Sequence, residues 1–164
     1  MILKNKLTNK ELKDQHGFNA LYYATFYGHK HIIEELGKKE VPYEPSNEGT
    51  TCLHIACKKG YLDVVNYFLN YKTLQKLKAH HPWDGNINVN ARKEHKKGMG
   101  YTPAFLAAKN GHIEIFKLLS ENGAKIENFK CSIGGNQDLD PIHIASKYGH
   151  SEIVNFIISK SQNI

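Results

Sequence analysis

The fold is decided by a short stretch that begins as Gly49-Thr-Thr-Cys-Leu-His-Ile-Ala56 and closes at Gly60, four residues after the alanine. Three further stretches have the same spacing, and an apolar run follows the closing glycine of each. They are Gly17-Phe-Asn-Ala-Leu-Tyr-Tyr-Ala24 with Gly28, Gly100-Tyr-Thr-Pro-Ala-Phe-Leu-Ala107 with Gly111, and Asp138-Leu-Asp-Pro-Ile-His-Ile-Ala145 with Gly149. Self-similar units of about 20–50 residues are typical of repeat architectures, in which neighbouring units bury each other's apolar sides. The sequence therefore predicts a stack of four units.

The third residue of every stretch is a good helix N-cap, whose side-chain oxygen can accept a first-turn N–H. These residues are Asn19, Thr51, Thr102 and Asp140. Pro103 and Pro141 follow two of them, at the first helical position, where a missing N–H costs little. The closing glycine can adopt a positive φ and so end one helix before the next begins. Each unit is expected to hold a short inner helix, a tight turn and a longer outer helix.

These four stretches resemble the ankyrin repeat, whose unit of about 33 residues carries Gly-x-Thr-Pro-Leu-His-x-Ala and then a glycine. The match extends over residues 14–160. The resemblance implies an all-α fold, an ankyrin-repeat solenoid of stacked helix pairs with β-hairpin-like fingers. We expect one domain over residues 1–164, with repeats at about 14–45, 46–92, 93–132 and 133–160.

The unequal spacing of the repeats locates two insertions. Equivalent alanines stand at positions 24, 56, 107 and 145. Extra residues therefore lie between the second and third repeats, and a smaller number of extra residues lies between the third and fourth. The larger insertion is expected near 70–87 and holds the single tryptophan, Trp83, while the smaller lies near 128–135. Repeat insertions tend to form binding loops on one face. A tolerated surface loop accounts for the larger insertion equally well.

Composition excludes some classes of protein but does not identify a partner. The 164 residues carry a net charge of +6, which allows an acidic protein, nucleic acid or an anionic surface as partner. The longest apolar runs are far shorter than the roughly 18–20 residues of a membrane span, and the first residues lack the pattern of a secretory signal. Cys52, Cys57 and Cys131 form no paired framework. We expect a cytoplasmic protein.

No pattern for catalysis or metal binding stands out. By the resemblance, His54 and His143 brace the helix turns, and no cysteine pair accompanies His80, His81 or His95 as a zinc site would require. The register places Cys52 and Cys57 in a packed helix, and nothing beside Cys131 lowers a thiol pKa. Glycine-rich phosphate loops are absent. The sequence therefore predicts no enzyme activity, no catalytic residues, no metal and no cofactor.

A binding surface is easier to predict. By the resemblance, it is the concave face, built from the finger tips and from the two residues before each turn glycine. The pairs before the glycine are Phe26 and Tyr27, Lys58 and Lys59, Lys109 and Asn110, and Lys147 and Tyr148. The fingers add Gln15, His16, Phe18, Asn47, Glu48, Thr50, Met99, Tyr101, Gln137 and Leu139. Exposed aromatic residues are common in binding hot spots, although Phe26 and Tyr27 could instead cover the open end of the first repeat.

The leading hypothesis is a non-enzymatic protein-protein interaction module whose concave face binds an acidic protein segment with an apolar anchor. One alternative is a regulatory or targeting domain of a larger, possibly enzymatic protein. A less favoured one is nucleic-acid binding through the lysine row and residues 92–97, because lysines replace the side chains that read bases. The last outer helix is apolar on more than one side between Ile153 and Ile158. This pattern suggests that a partner or a second copy covers it, or that the chain is a piece of a longer protein.

Overall fold

The computed structural model describes residues 12–70, 83, 87–93, 100–126, 131–132 and 138–162. Its helices form four antiparallel pairs, which confirms the predicted all-α repeat fold. The pairs are α1 (Ala20–Phe26) with α2 (Lys30–Lys38), α3 (Cys52–Lys59) with α4 (Leu62–Leu69), α5 (Pro103–Lys109) with α6 (Ile113–Glu121), and α7 (Pro141–Lys147) with α8 (Ser151–Ser161). Two short antiparallel strands, β1 (Cys131–Ser132) and β2 (Asp138–Leu139), form the finger before the fourth pair.

The inner helices begin where the sequence predicts. The side chains of Asn19, Thr51, Thr102 and Asp140 each accept a backbone N–H three residues later, from Tyr22, His54, Phe105 and His143 respectively. Pro103 and Pro141 occupy the first turn of their helices. Four first turns are therefore closed by the same chemistry, with each cap contributing about 1 kcal/mol to stability.

Three of the turn glycines also leave room for an aromatic ring of the next repeat to pack against the backbone. Gly60 has φ +81°, and an ideal Cβ built on it would lie 2.6 Å from the ring of His112 in the next repeat. Gly111 stands in the same relation to His150, and Gly28 to Tyr61. The His150 ring also lies 3.1 Å from the Lys109 carbonyl, and the His112 ring 3.4 Å from the Lys58 carbonyl. We call each turn glycine, with the carbonyl two residues before it, a ring seat.

The core runs through the stack as a continuous layer. Inner helices α1, α3, α5 and α7 pack in sequence, and the outer helices α4, α6 and α8 pack behind them. The largest fully buried apolar side chains are Leu21, Ile33, Leu53, Phe68, Phe105, Ile115, Phe116, Leu119, Ile144 and Ile153. Burying one such side chain contributes about 1.5–3 kcal/mol. A single helix pair has too few of them to fold alone, so stability comes from the contacts between repeats.

Trp83 lies in this core rather than in an exposed loop. Its side chain is 2% exposed, and its Nε1–H donates to the Val41 carbonyl at 2.6 Å. The indole ring packs against Tyr43, Tyr67 and Phe68, with centroids 5.7–6.2 Å apart. For Trp83 itself both loop interpretations are therefore wrong, because its large apolar ring extends the core of the second repeat. Residues 71–82 and 84–86 of the insertion lie outside the described residues.

Candidate functional site

The inner helices and fingers of the first three repeats enclose a groove on the concave face. A cavity of about 270 Å³ opens there. Its floor consists largely of apolar and aromatic side chains, and its rim is mostly lysine. The lining residues are Phe18, Tyr22, Phe26, Thr50, His54, Ile55, Lys58, Lys59, Lys93, Tyr101, Leu106, Lys109 and Asn110. We call this feature the concave groove.

Three aromatic rings form one wall of the concave groove. Phe18 precedes α1, and Tyr22 and Phe26 follow at intervals of four residues, so the helix aligns their rings along one side. Phe18 stacks on Tyr22 at 3.7 Å between centroids, and Tyr22 stacks on Phe26 at 6.4 Å. Burial raises the pKa of Tyr22 to about 12, so its hydroxyl stays protonated at neutral pH. The wall offers a preformed apolar surface at the end of the stack where the first repeat lies.

The opposite wall comes from the third repeat and is fixed by His54. The Thr51 backbone N–H points at Nδ1 of His54, 3.2 Å away, so this nitrogen acts as the acceptor and the ring is the neutral tautomer. Its Nε2–H donates to the Tyr101 carbonyl at 3.0 Å. Burial lowers the pKa of His54 to about 4. Tyr101 stacks on Phe105 at 5.3 Å, which holds the finger of the third repeat beside the groove.

Four lysines of the concave face have no carboxylate partner among the described residues. Three lysines of the outer helices, in contrast, form ion pairs within their own helix, as Lys30 does with Glu34 and Lys117 with Glu114. At the groove rim, Lys93 pairs with Glu48 at 3.2 Å. Among the described residues, no carboxylate pairs with Lys58, Lys59, Lys109 or Lys147. Lys39 and Lys160, at the C-terminal ends of α2 and α8, likewise lack a carboxylate partner among the described residues. The concave face differs in holding four such lysines along one column.

Aromatic rings hold two of these lysines in place. The Lys59 ammonium lies 4.4 Å from the centroid of Phe26, and the Lys109 ammonium lies 5.7 Å from that of Tyr148. Cation–π contacts at such exposed sites contribute about 0.5–1 kcal/mol. They do not neutralise the charge, so both ammonium groups remain available to an anion while their positions are partly fixed.

A family model described as ankyrin repeats (3 copies) matches residues 1–79 and 70–164. The chain belongs to the ankyrin-repeat family. Repeats of this kind are protein-interaction modules, generally without catalytic activity. No helix in the described part of this ankyrin chain is long and apolar enough to cross a lipid bilayer.

Curated relatives of this ankyrin chain are mostly longer. Human transient receptor potential cation channel subfamily A member 1 is 26% identical over 165 residues, which cover 97% of this chain and 13% of the channel. The NF-kappa-B inhibitor cactus of Drosophila yakuba is 25% identical over 96% of this chain and 27% of the inhibitor. A putative ankyrin repeat protein of Rickettsia bellii is 33% identical over 64% of this chain and 52% of that protein. The chain thus spans between 13% and 52% of these relatives' lengths.

The sequence-predicted site residues of the ankyrin chain fall into three groups. Those that line the concave groove are Phe18, Phe26, Thr50, Lys58, Lys59, Tyr101, Lys109 and Asn110, although Thr50 is only 5% exposed. Those on the fingers or before the first and last turn glycines are Gln15, His16, Tyr27, Asn47, Glu48, Leu139, Lys147 and Tyr148, of which Leu139 is partly buried against the core. Met99 and Gln137 lie outside the described residues.

Five lining residues were not predicted, and a helical signal existed for four of them. Each of the four stands four residues before a predicted residue and so shares its helix face: Tyr22 before Phe26, His54 before Lys58, Ile55 before Lys59, and Leu106 before Asn110. Lys93 carried no such signal, because it reaches the groove from the finger between the second and third repeats.

The pKa values and hydrogen bonds of the titratable groups in this ankyrin domain indicate structural roles rather than catalytic ones. Burial raises the pKa of the Cys52 thiol to about 12 and that of Cys57 well above its ordinary value, so neither is a thiolate at neutral pH. His54 is committed to two hydrogen-bonded backbone groups. No group of three or more metal-capable side chains occurs among the described residues. His80, His81 and His95 lie outside them.

Proposed function

We propose that this chain is a non-enzymatic interaction module whose concave groove binds an acidic protein segment carrying an apolar anchor. The observation that carries the proposal is an apolar floor beside a rim on which Lys58, Lys59 and Lys109 lack carboxylate partners among the described residues, while Lys93 is paired with Glu48. An apolar side chain fits the floor formed by Tyr22, Ile55 and Leu106. Carboxylates beside it fit the column of Lys58, Lys109 and Lys147. The proposal includes a cytoplasmic location.

The two halves of the groove have different energetic roles. A cavity of about 270 Å³ has room for one large aliphatic or aromatic side chain, and burying such a group stabilises a complex by about 1.5–3 kcal/mol. Exposed ion pairs contribute about 0–1 kcal/mol each. Their larger effects are on the association rate and on the rejection of basic segments. The anchor therefore supplies most of the affinity, and the lysines supply selectivity.

The lengths of the relatives favour a second candidate. Because the chain spans 13% of the human cation channel and 27% of the NF-kappa-B inhibitor cactus, it corresponds in length to a part of each. The same groove would then act as a regulatory or targeting domain within a longer protein. Both candidates use one binding surface. They differ in what is tethered to it.

Reversing the groove charge is expected to weaken partner binding by at least about tenfold, because like charges then face an acidic ligand. The variant is Lys58→Glu with Lys109→Glu. The matched control is Lys30→Glu with Lys117→Glu, which makes the same change of net charge on the outer helices. A partner is first captured with the tagged chain from cells of the source organism and identified by mass spectrometry, and its affinity for each variant is then measured by calorimetry.

Equal affinity of the two double variants for the captured partner would contradict the proposal. The salt dependence of the wild-type affinity separates it from nucleic-acid binding. A nucleic-acid ligand releases counterions and gives a steep dependence. A segment anchored by an apolar side chain gives a shallow one.

A further inference from the structure

One ion pair at the concave groove joins two different fingers. Glu48 lies in the finger before α3 and Lys93 in the finger before α5, and the Glu48 Oε2 lies 3.2 Å from the Lys93 Nζ. Lys93 lines the groove, whereas Glu48 is not among its lining residues. The Glu48 side chain is 67% exposed, so its carboxylate reaches the ammonium group from outside the groove. Within the described part of the chain, Lys93 is the one rim lysine with a carboxylate partner.

The two fingers are held in place without this ion pair. The Lys93 backbone N–H donates to the Tyr101 carbonyl at 2.9 Å, and the same carbonyl accepts from the His54 ring at 3.0 Å. In the other finger, the Ser46 Oγ accepts the Glu48 backbone N–H at 3.3 Å. An ion pair as exposed as this one adds little to stability. The two side chains can therefore separate while both backbones stay where they are.

The charges of the pair both act on residues inside the groove. Burial raises the pKa of Tyr22 to about 12, and the negative charge of Glu48 makes a smaller contribution in the same direction. Burial lowers the pKa of His54 to about 4, and the positive charge of Lys93 contributes to that change. An acidic side chain that enters the groove would therefore be attracted by Lys93 and repelled by Glu48.

We propose that Glu48 is a resident competitor, a carboxylate of the chain itself that occupies the place of a ligand carboxylate on Lys93. This inference rests on the proposed function, because it concerns the selectivity of the same groove. A ligand carboxylate binds Lys93 only by displacing Glu48, so that one exposed ion pair replaces another and the affinity changes little.

The resident competitor determines where along the groove the acidic residues of a ligand matter. An acidic residue opposite Lys58 or Lys109 forms a new ion pair, because neither lysine has a carboxylate partner among the described residues. An acidic residue opposite Lys93 only replaces an existing pair. The groove therefore favours segments whose acidic residues face the inner helices α3 and α5 over segments whose acidic residues face the finger that carries Lys93.

The test removes the competitor and measures the binding of a defined acidic peptide by NMR titration, which follows even millimolar affinities. The peptide has one phenylalanine between two runs of about six glutamates, each about 20 Å long when extended, so an acidic residue can face Lys93 in either chain direction. Glu48→Gln is expected to bind it about two- to fivefold more tightly than wild type. The matched control, Glu114→Gln, removes the partner of Lys117 on α6 and should leave the affinity unchanged.

A second variant shows whether the gain passes through Lys93. Adding Lys93→Gln to Glu48→Gln should return the affinity to the wild-type value. The inference is overturned if Glu48→Gln brings no gain, or if the gain persists without Lys93, while Lys58→Glu with Lys109→Glu still weakens peptide binding. If that charge-reversed variant binds the peptide as wild type does, or if wild type does not bind it, the proposed function fails and the inference fails with it.

Discussion

Replacing Trp83 with alanine is expected to lower the free energy of unfolding by about 3–5 kcal/mol, a loss typical of truncating a large buried aromatic side chain. The change removes ring contacts with Tyr43, Tyr67 and Phe68. It also removes the N–H donor of the Val41 carbonyl, and a buried acceptor left unpaired costs about 1–3 kcal/mol. Because total stability of a domain is about 5–15 kcal/mol, this one position accounts for a large share of it.

Urea unfolding followed by circular dichroism measures this loss. Trp83→Phe keeps most of the ring contacts and loses the hydrogen bond, so it should fall between wild type and Trp83→Ala. Tyr148→Ala, at a half-exposed aromatic residue, is the control and should change the unfolding free energy by less than about 1 kcal/mol. A Trp83→Ala chain within about 1 kcal/mol of wild type would mean that the indole is not part of the core.

Lowering the pH from 7.5 to 5 is expected to remove about 2 kcal/mol of stability through His54 alone. Burial lowers the pKa of His54 in the folded chain to about 4, against an ordinary value of 6.5. Between these values the unfolded chain binds the extra proton and the folded chain does not. The free energy of unfolding is therefore unaffected by protonation of His54 above pH 6.5, and it falls as the pH is lowered from 6.5 toward 4.

His143 provides a matched control because it stands at the same position of the fourth repeat but is exposed and paired with Asp140. His54→Gln should be less stable than wild type at pH 7.5 and should lose most of the slope between pH 7.5 and 5. His143→Gln should keep that slope. Equal slopes in all three chains would show that another group governs the acid response. The His54 resonances, followed by NMR, should titrate near pH 4 in the wild-type chain.

The acid response also reaches the concave groove. His54 is the side chain that joins the Thr51 cap of the second repeat to the Tyr101 carbonyl of the third. Protonation places a second N–H on the ring, and Nδ1 can then no longer accept from the Thr51 backbone. The Nε2–H bond to the Tyr101 carbonyl remains, but the ring is no longer held by the Thr51 N–H, so its link between the two repeats is weakened. Partner binding and stability should therefore decline together as the pH falls.

Local chemistry explains why the helix starts and turns could be predicted. An N-cap such as Thr102 bonds a backbone N–H three residues away, and Gly60 needs a positive φ whatever surrounds it. Both requirements are met within one short stretch of chain. The same holds for the residues before each glycine, since Lys58 and Lys109 reach the concave face by helix register alone.

Contacts between distant segments explain what the sequence did not reveal. The sequence places Trp83 in a loop because its partners cannot be recognised from the residues around it. Val41 and Tyr43 lie some forty residues earlier and come near Trp83 only when the second repeat has folded. Composition likewise does not show which lysines have carboxylate partners, because it counts all cations alike. Lys93 shows this most clearly, because its Glu48 partner lies in another finger.

The most direct test of the binding groove is amide hydrogen exchange of the chain alone and in complex with its captured partner. If the groove binds the partner, exchange is slower in residues 50–59 and 101–110, which hold the groove floor and rim, and unchanged in the outer helices over residues 62–69 and 113–121. Slowing confined to the outer helices, with the groove segments unchanged, would contradict it.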